Sequence, residues 1–176
     1  MGKRRIDWSG VGSQGVFALC LCLLAGASWG DDACPTVLAP QAVLQGLNAL
    51  RAQARYCGSR LWPAVPALGW DERLAASSQA FATELAQRDS LTHQGQLAHS
   101  LRERLRASGY GARAAGENLA AGSESLEEAL EQGLASPAHC ENLMLAEFTD
   151  VGLTCVSGPG RFRTYWVMHL ARSNGR

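Results

Sequence analysis

Four cysteines, Cys34, Cys57, Cys140 and Cys155, lie downstream of an N-terminal stretch built like an export signal. An even number of thiols in an oxidising compartment reads as two cross-links, so segments far apart in sequence are expected to be tied together. Each bridge is worth roughly 2 to 4 kcal/mol through the unfolded chain that it restricts. The count alone leaves three pairings open. A thiolate nucleophile at Cys140 beside His139 is the weaker reading, because adjacent residues rarely face each other and an oxidising compartment consumes thiols.

The export reading rests on residues 1–30. Lys3, Arg4 and Arg5 form a basic start, Val16 to Ala27 an apolar stretch too short to span a bilayer well, and Ser28-Trp29-Gly30 a small-residue exit. Cleavage is expected close to Asp31, which removes Cys20 and Cys22; neither follows a lipobox. The chain then divides into a signal peptide over 1–30, a loop and helix start over 31–42, one domain over 43–171 and a tail over 172–176. The mature part is expected to carry no transmembrane anchor and to reside in the periplasm or outside the cell. About 146 residues suffice for a single domain with a core. They carry 13 arginines, no lysine and 15 acidic residues, which argues against a nucleic-acid partner, since phosphate binding needs a concentrated basic face. Arg102, Arg104 and Arg106 are the one dense basic run; Glu103 interrupts it, and it reads first as a solvated helix face.

Hydrophobic spacing predicts helices first and strands last. Val43, Leu44, Leu47, Leu50 and Ala54 recur at helical steps over Gln41 to Arg55, with Cys57-Gly58 as the stop. Pro63 and Pro66 keep the next link extended, and Asp71 caps a second helix to about Arg88, with Leu74, Ala75, Ser78, Phe81, Ala82 and Leu85 inward. A polar loop over 90–99 precedes a short helix from Ser100 to Ser108, stopped by Gly109. Residues 111–122 read as a strand or an irregular loop. Ser125 and Glu128 form a capping box for a helix that ends near Ser136-Pro137. Val151 to Val156 and Phe162 to Ala171 alternate as a strand hairpin, with Trp166, Met168 and Leu170 on one face. This order indicates an α+β layered domain.

Chemistry concentrates in His93, Glu117 and His139. Two imidazoles and a carboxylate that meet across the fold could hold a divalent cation or move a proton. Against this stands a structural role, in which Glu117 accepts hydrogen bonds and ties segments together. Asn118 reads as a turn or backbone-bonding residue. His99 is expected on an exposed loop, and His169 in a strand with Tyr165 and Val167; neither enters the candidate site. No serine elbow and no His-Glu-x-x-His helix supports a standard hydrolase, so a binding cleft is favoured over an enzyme.

Leu68-Gly69-Trp70-Asp71, Thr92-His93, Gly109-Tyr110, Gly116-Glu117-Asn118-Leu119-Ala120, Ser136-Pro137-Ala138-His139, Phe148-Thr149-Asp150-Val151-Gly152 and Tyr165-Trp166-Val167 together resemble the bacterial CAP, or SCP-like, domain. That superfamily includes cysteine-rich secretory proteins, antigen 5 and plant pathogenesis-related proteins. The resemblance covers residues 43–171. It implies an α-β-α sandwich around a small, mainly antiparallel sheet, and a cleft lined by two histidines and two acids. His93, Glu117 and His139 match three of those four positions; Ser136 stands at the fourth, and Gly133 where a helix tryptophan is expected. Arg104 occupies a family arginine position and is expected to pair with an acid near the cleft, with Asn118 and Ser136 as supporting residues.

The same resemblance pairs Cys57 with Cys140, through Arg55-Tyr56-Cys57-Gly58 and His139-Cys140, leaving Cys34 to Cys155. Sequential pairing remains the alternative. The implied function is an exported module that binds a lipid, an envelope glycan or a partner protein. No cofactor is required, and a weak zinc or other divalent site at His93, His139 and Glu117 should empty below about pH 6. The alternatives are a metal-assisted, peptidase-like hydrolase using the same three residues, and an effector or inhibitor acting through protein contacts.

Overall fold

Arg51 decides where the first helix stops. In this computed structural model, which describes residue 34 and residues 38–175, α1 runs Pro40–Arg51, with proline in its first turn and Val43 and Leu47 fully buried. The proposed signal peptide lies outside the described residues. The Arg51 side chain turns into the protein and donates to the carbonyls of Pro66 (2.9 Å), Leu145 (3.2 Å), Phe148 (3.3 Å) and Leu143. Desolvation lowers the pKa of this guanidinium, and hydrogen bonds to backbone dipoles offset that cost. Two separate segments, around residue 66 and over residues 143–148, are thereby stitched to the end of α1.

The expected continuation of that helix to Arg55 is not found. β1 (Arg55–Cys57) and β2 (Arg60–Trp62) form an antiparallel hairpin, with Tyr56 opposite Leu61. Tertiary ties override the helical period here. Arg55 donates twice to the Leu50 carbonyl, and Cys57 is bonded to Cys140. The second bridge joins Cys34 and Cys155.

β3 (Gly69–Trp70) leads into α2 (Glu72–Arg88), whose Asp71 cap accepts from the backbone N–H groups of Arg73 (2.9 Å) and Leu74 (3.4 Å). Ser100 caps α3 (Leu101–Ala107). The ambiguous stretch after it is a strand, β4 (Ala112–Ala121). α4 (Leu126–Ala135) starts at the Ser125 cap, and Glu128 reaches back to the N–H of Glu124. A further short helix, α5 (Pro137–Leu143), begins where the chain was expected only to leave α4; Pro137 is pre-set for its first turn. β5 (Asp150–Ser157) and β6 (Thr164–Ser173) complete the chain.

The main sheet has the order β3-β5-β6-β4, parallel only between β3 and β5. Alternation along β6 divides the core. Trp166, Met168 and Leu170 pack with Val43, Leu47, Ala129 and Leu143 of α1, α4 and α5, whereas Tyr165 and Val167 pack with Phe81, Ala82 and Leu85 of α2. Helices therefore cover both sheet faces, the α-β-α form of an α+β domain. Contacts group Asp31–Arg176 into one compact unit. Among the described residues, no helix is long and apolar enough to cross a membrane.

α2 lies on the sheet at backbone distance. A Cβ at Gly152 would sit 2.1 Å from the Ala75 nitrogen and 2.2 Å from the Leu74 carbonyl carbon, so only glycine fits. Gly152 opposes His169, which in turn opposes Glu117, so this close approach presses α2 onto the row that carries the candidate site. Gly152→Ala should cost at least about 3 kcal/mol, because backbone atoms must shift. Urea unfolding read by near-UV circular dichroism checks this; an unchanged midpoint would contradict it.

Candidate functional site

Glu117 sits midway along β4, the edge strand, and points to the α2 and α3 side with Leu119, two residues on. Its carboxylate is almost fully enclosed and both oxygens are taken. Oε1 lies 2.8 Å from His93 Nδ1; Oε2 accepts from Arg104 Nη2 at 2.7 Å and lies 2.9 Å from His169 Nε2. Arg104 reaches this point from α3 and is itself buried. It also donates to the carbonyls of His93 (3.1 Å) and Ala98 (3.1 Å), and its guanidinium lies 3.7 Å from the Phe81 ring centroid. The family-based expectation for this arginine, an acid partner, describes it; a solvated helix face does not.

The electrostatics follow from this packing. Burial would raise the Glu117 pKa, but the hydrogen bond from His169, the Arg104 cation and the His93 hydrogen bond outweigh it and hold the carboxyl below its ordinary value. His169 is fully enclosed, and its desolvation lowers the ring pKa despite the carboxylate beside it. Its Nδ1 finds no hydrogen-bond partner among the described residues. The neutral tautomer with the proton on Nε2 satisfies this arrangement: Nε2–H donates to Glu117, and Nδ1 is a bare acceptor.

His139 does not join this carboxylate. Glu117 and Asn118 are consecutive in a strand, so their side chains leave opposite faces. Asn118 turns to the α5 side, where it donates to the His139 backbone carbonyl (3.0 Å) and accepts from Asn142 Nδ2 (3.0 Å). Asn118 is thus the backbone-bonding residue of the two readings and lies mid-strand rather than in a turn, and the three-residue convergence is a two-sided arrangement. His93 meets Glu117 on one face of β4, and His139 flanks the other. Burial lowers the His139 pKa, and repulsion from His93 adds to it. Gly116 admits this packing, because a Cβ there would meet Phe148 at 2.9 Å and Asn142 at 3.2 Å. Ser136 ends α4 and starts α5; its side chain makes no cap hydrogen bond, and nothing places it in the Glu117 cluster.

These positions bear directly on a cation. Among the described residues, no group of three or more His, Cys, Asp or Glu is arranged to hold a metal ion. Glu117 is occupied and faces a guanidinium, so it does not fit as a ligand. His93 and His139 are the two imidazoles that remain, with Glu117 fixing the His93 ring through Nδ1 and leaving Nε2 for other contacts.

His169 is the functional residue that sequence reasoning omitted. Its alternation with Tyr165 and Val167 was legible, and a histidine on a buried strand face needs a polar partner. Naming that partner required the register that sets it opposite Glu117.

Beside His139 lies a small, partly open apolar slot of about 30 Å³ between α4 and the sheet. Leu130 and Leu134 line one side, Trp166 and Met168 the other, and Asn118 and His139 supply polar groups. Gly133 also lines it, and a Cβ at that position would meet no heavy atom within 4 Å.

Residues 47–170 match the family model of the cysteine-rich secretory protein family, CAP. An extracellular protein containing a SCP domain from Bacillus anthracis superposes with a TM-score of 0.63 at 23% identity, over 76% of this chain and 40% of that one. An outer surface protein from Borrelia burgdorferi gives 0.61 at 16% identity, over 78% and 97%. Venom allergen-like protein 4 from Schistosoma mansoni gives 0.54 at 13% identity, over 78% and 92%. At such identities the likeness is one of fold, and the chain spans only 40% of the Bacillus protein. A search of curated proteins found no match. With the family model covering most of the chain and the same fold in these structures, the protein belongs to the cysteine-rich secretory protein (CAP) family.

Proposed function

We propose that this is an exported binding module, not a hydrolase, and that its ligand is one whose apolar end enters the slot beside His139. The observation that carries the reading is the saturation of Glu117. A general base needs a carboxylate oxygen free to take a proton from water, and both oxygens here are engaged by Arg104, His93 and His169. The Arg104 cation further lowers the basicity of the carboxylate. Its work is to lock α3, the His93 loop, β4 and β6 together at the rim of the sheet.

The lining of the slot supports an apolar occupant: aliphatic and aromatic walls with a few polar groups that can orient a ligand head. An envelope glycan would call for more hydrogen-bonding groups than Asn118 and His139 supply. Two disulfides support export, as do relatives described as extracellular and outer-surface proteins. A second reading has its own observation. The His93 ring is oriented by Glu117, and the lowered pKa of His139 keeps that ring neutral, which suits a weak divalent cation shared by two imidazoles.

Gly133→Trp should fill the slot without backbone strain. Uptake of a fluorescent C16 fatty acid, followed by emission, should fall at least about tenfold while the melting temperature holds. Equal uptake by the variant would reject the slot.

Glu117→Gln should cost about 3 kcal/mol in chemical denaturation, because it strands a buried guanidinium without its counter-charge. A variant of unchanged stability would restore the candidate base.

Acid should destabilise the fold. The folded-state pKa of His169 is depressed, so its contribution is complete above the ordinary 6.5 and is lost as pH falls through the lowered value. Glu117 acts in the same direction at still lower pH, below its ordinary 4.5. Melting temperature should therefore decline steadily from pH 7 downward; a flat profile to pH 4 would contradict the cluster.

Calorimetry with zinc should show weak binding at pH 7.5 that His139→Ala removes. No heat in the wild type ends the cation reading and leaves the slot untouched.

A further inference from the structure

The three arginines of α3 divide between two tasks. Arg104 is turned inward onto Glu117, whereas Arg102 and Arg106, four residues apart and both exposed, share another face of the helix. They line a cleft of about 330 Å³ together with Gly109, Tyr110, Gly111, Ala112 and Asn174. Their charge is unanswered there. Among the described residues neither guanidinium has an ion pair or a hydrogen bond, and no acid lines the cleft. The acids of adjoining elements are already engaged: Glu103 accepts from the His99 N–H (2.8 Å), Asp71 is paired with Arg73, and Asp150 accepts from the Tyr110 and Thr149 hydroxyls.

The rest of the lining supplies donors and room. Gly109 has φ 79°, and a Cβ there would meet no heavy atom within 4 Å, so a bulky group can approach the backbone. The Gly111 carbonyl accepts from the Asn174 N–H at 2.9 Å, which holds the Asn174 carboxamide over the glycine: a Cβ at Gly111 would lie 3.6 Å from its Nδ2. The Gly111 N–H has no acceptor among the described residues. Arg102 and Ala112 also line an adjoining cleft of about 150 Å³, bordered by Arg113 at the bulge of β4. Arg113 is exposed and likewise unpaired among the described residues.

We propose that this cleft binds the phosphoryl group of a phosphomonoester, held by Arg102 and Arg106 with the Gly111 N–H and the Asn174 amide, while Arg113 adds charge from the rim. Two unpaired guanidiniums match the charge of about −1.5 to −2 that such a group carries at neutral pH; a carboxylate brings a single charge. Arginine forks also fit phosphate oxygens two at a time, which favours a tetrahedral oxyanion over a simple counter-ion. The site is independent of Glu117 and of what the slot holds.

The test is a titration of the disulfide-bonded chain beginning at Asp31 with inorganic phosphate at low ionic strength, followed by amide chemical shifts. The Gly109, Gly111 and Asn174 amides should move in one saturable transition with a Kd of about 1 mM, and acetate at matched ionic strength should bind at least about fivefold more weakly. Arg102→Gln/Arg106→Gln, at two exposed positions, should bind phosphate at least about tenfold more weakly at unchanged melting temperature. Asn174→Asp, which keeps the shape and adds a negative charge, should weaken it as much. Arg161→Gln, which removes a charge from the turn at the other end of β6, should bind as the wild type does. Glycerol phosphate and vesicles containing phosphatidic acid then separate a soluble phosphomonoester from a lipid headgroup, the tighter of the two being the source. No saturable shift of these amides, or a double variant that binds phosphate as the wild type does, overturns the proposal and leaves Arg102 and Arg106 a solvated face.

Discussion

A carboxylate buried on an edge strand must be compensated by the groups around it. Glu117 obtains this compensation from three segments: the Arg104 guanidinium of α3, the His169 ring of β6 and the His93 ring of the loop between α2 and α3. Arg104 in turn caps the carbonyls of His93 and Ala98, so the polar loop takes its shape from the same cation. A buried ion pair of this kind adds little net stability against an apolar alternative, but removing one partner is costly. Its effect is geometric: it fixes where α3 and the His93 loop stand against the sheet.

Strand alternation then organises everything around that point. Glu117 faces α2 and α3; Asn118 faces α5 and holds the His139 carbonyl. The two exposed or half-buried imidazoles therefore flank opposite faces of the strand rather than share one carboxylate. The apolar slot lies on the Asn118 face, under α4, where Gly133 leaves room. The Cys57–Cys140 bridge fixes α5 from the far side and also supports the outward-facing hairpin. The histidine rim and the slot are consequences of one edge strand packed differently on its two sides.

Much of this was legible from residues alone, for physical reasons. Asp71, Ser100 and Ser125 announced helix starts because their short oxygen-bearing side chains satisfy orphan backbone donors. The alternation over β6 announced a sheet with two covered faces. The failures also have causes. Arg51 reads as the polar side of a helix, yet it is fully enclosed, since backbone carbonyls from residues 66 to 148 converge on it. Pro137 looked like a stop and is a start, because a proline suits the first turn of a helix as well as the end of another. His169 looked like a packing residue, because the row that brings it to Glu117 is a matter of register between distant strands.

By itself the sequence determined the body of α1, the helices α2, α3 and α4 with their caps, the final strand pair, the sidedness of β6 and the resemblance to the family to which the chain belongs. These rest on local periodicity and on short-range backbone satisfaction, both of which are written within a few residues. Only the tertiary structure decided which groups share the Glu117 carboxylate, that His139 stands on the other face of β4, and that Tyr56 and Leu61 remain in water. Each of those depends on strand register and helix placement across many tens of residues, where a shift of one residue exchanges the two faces of a strand.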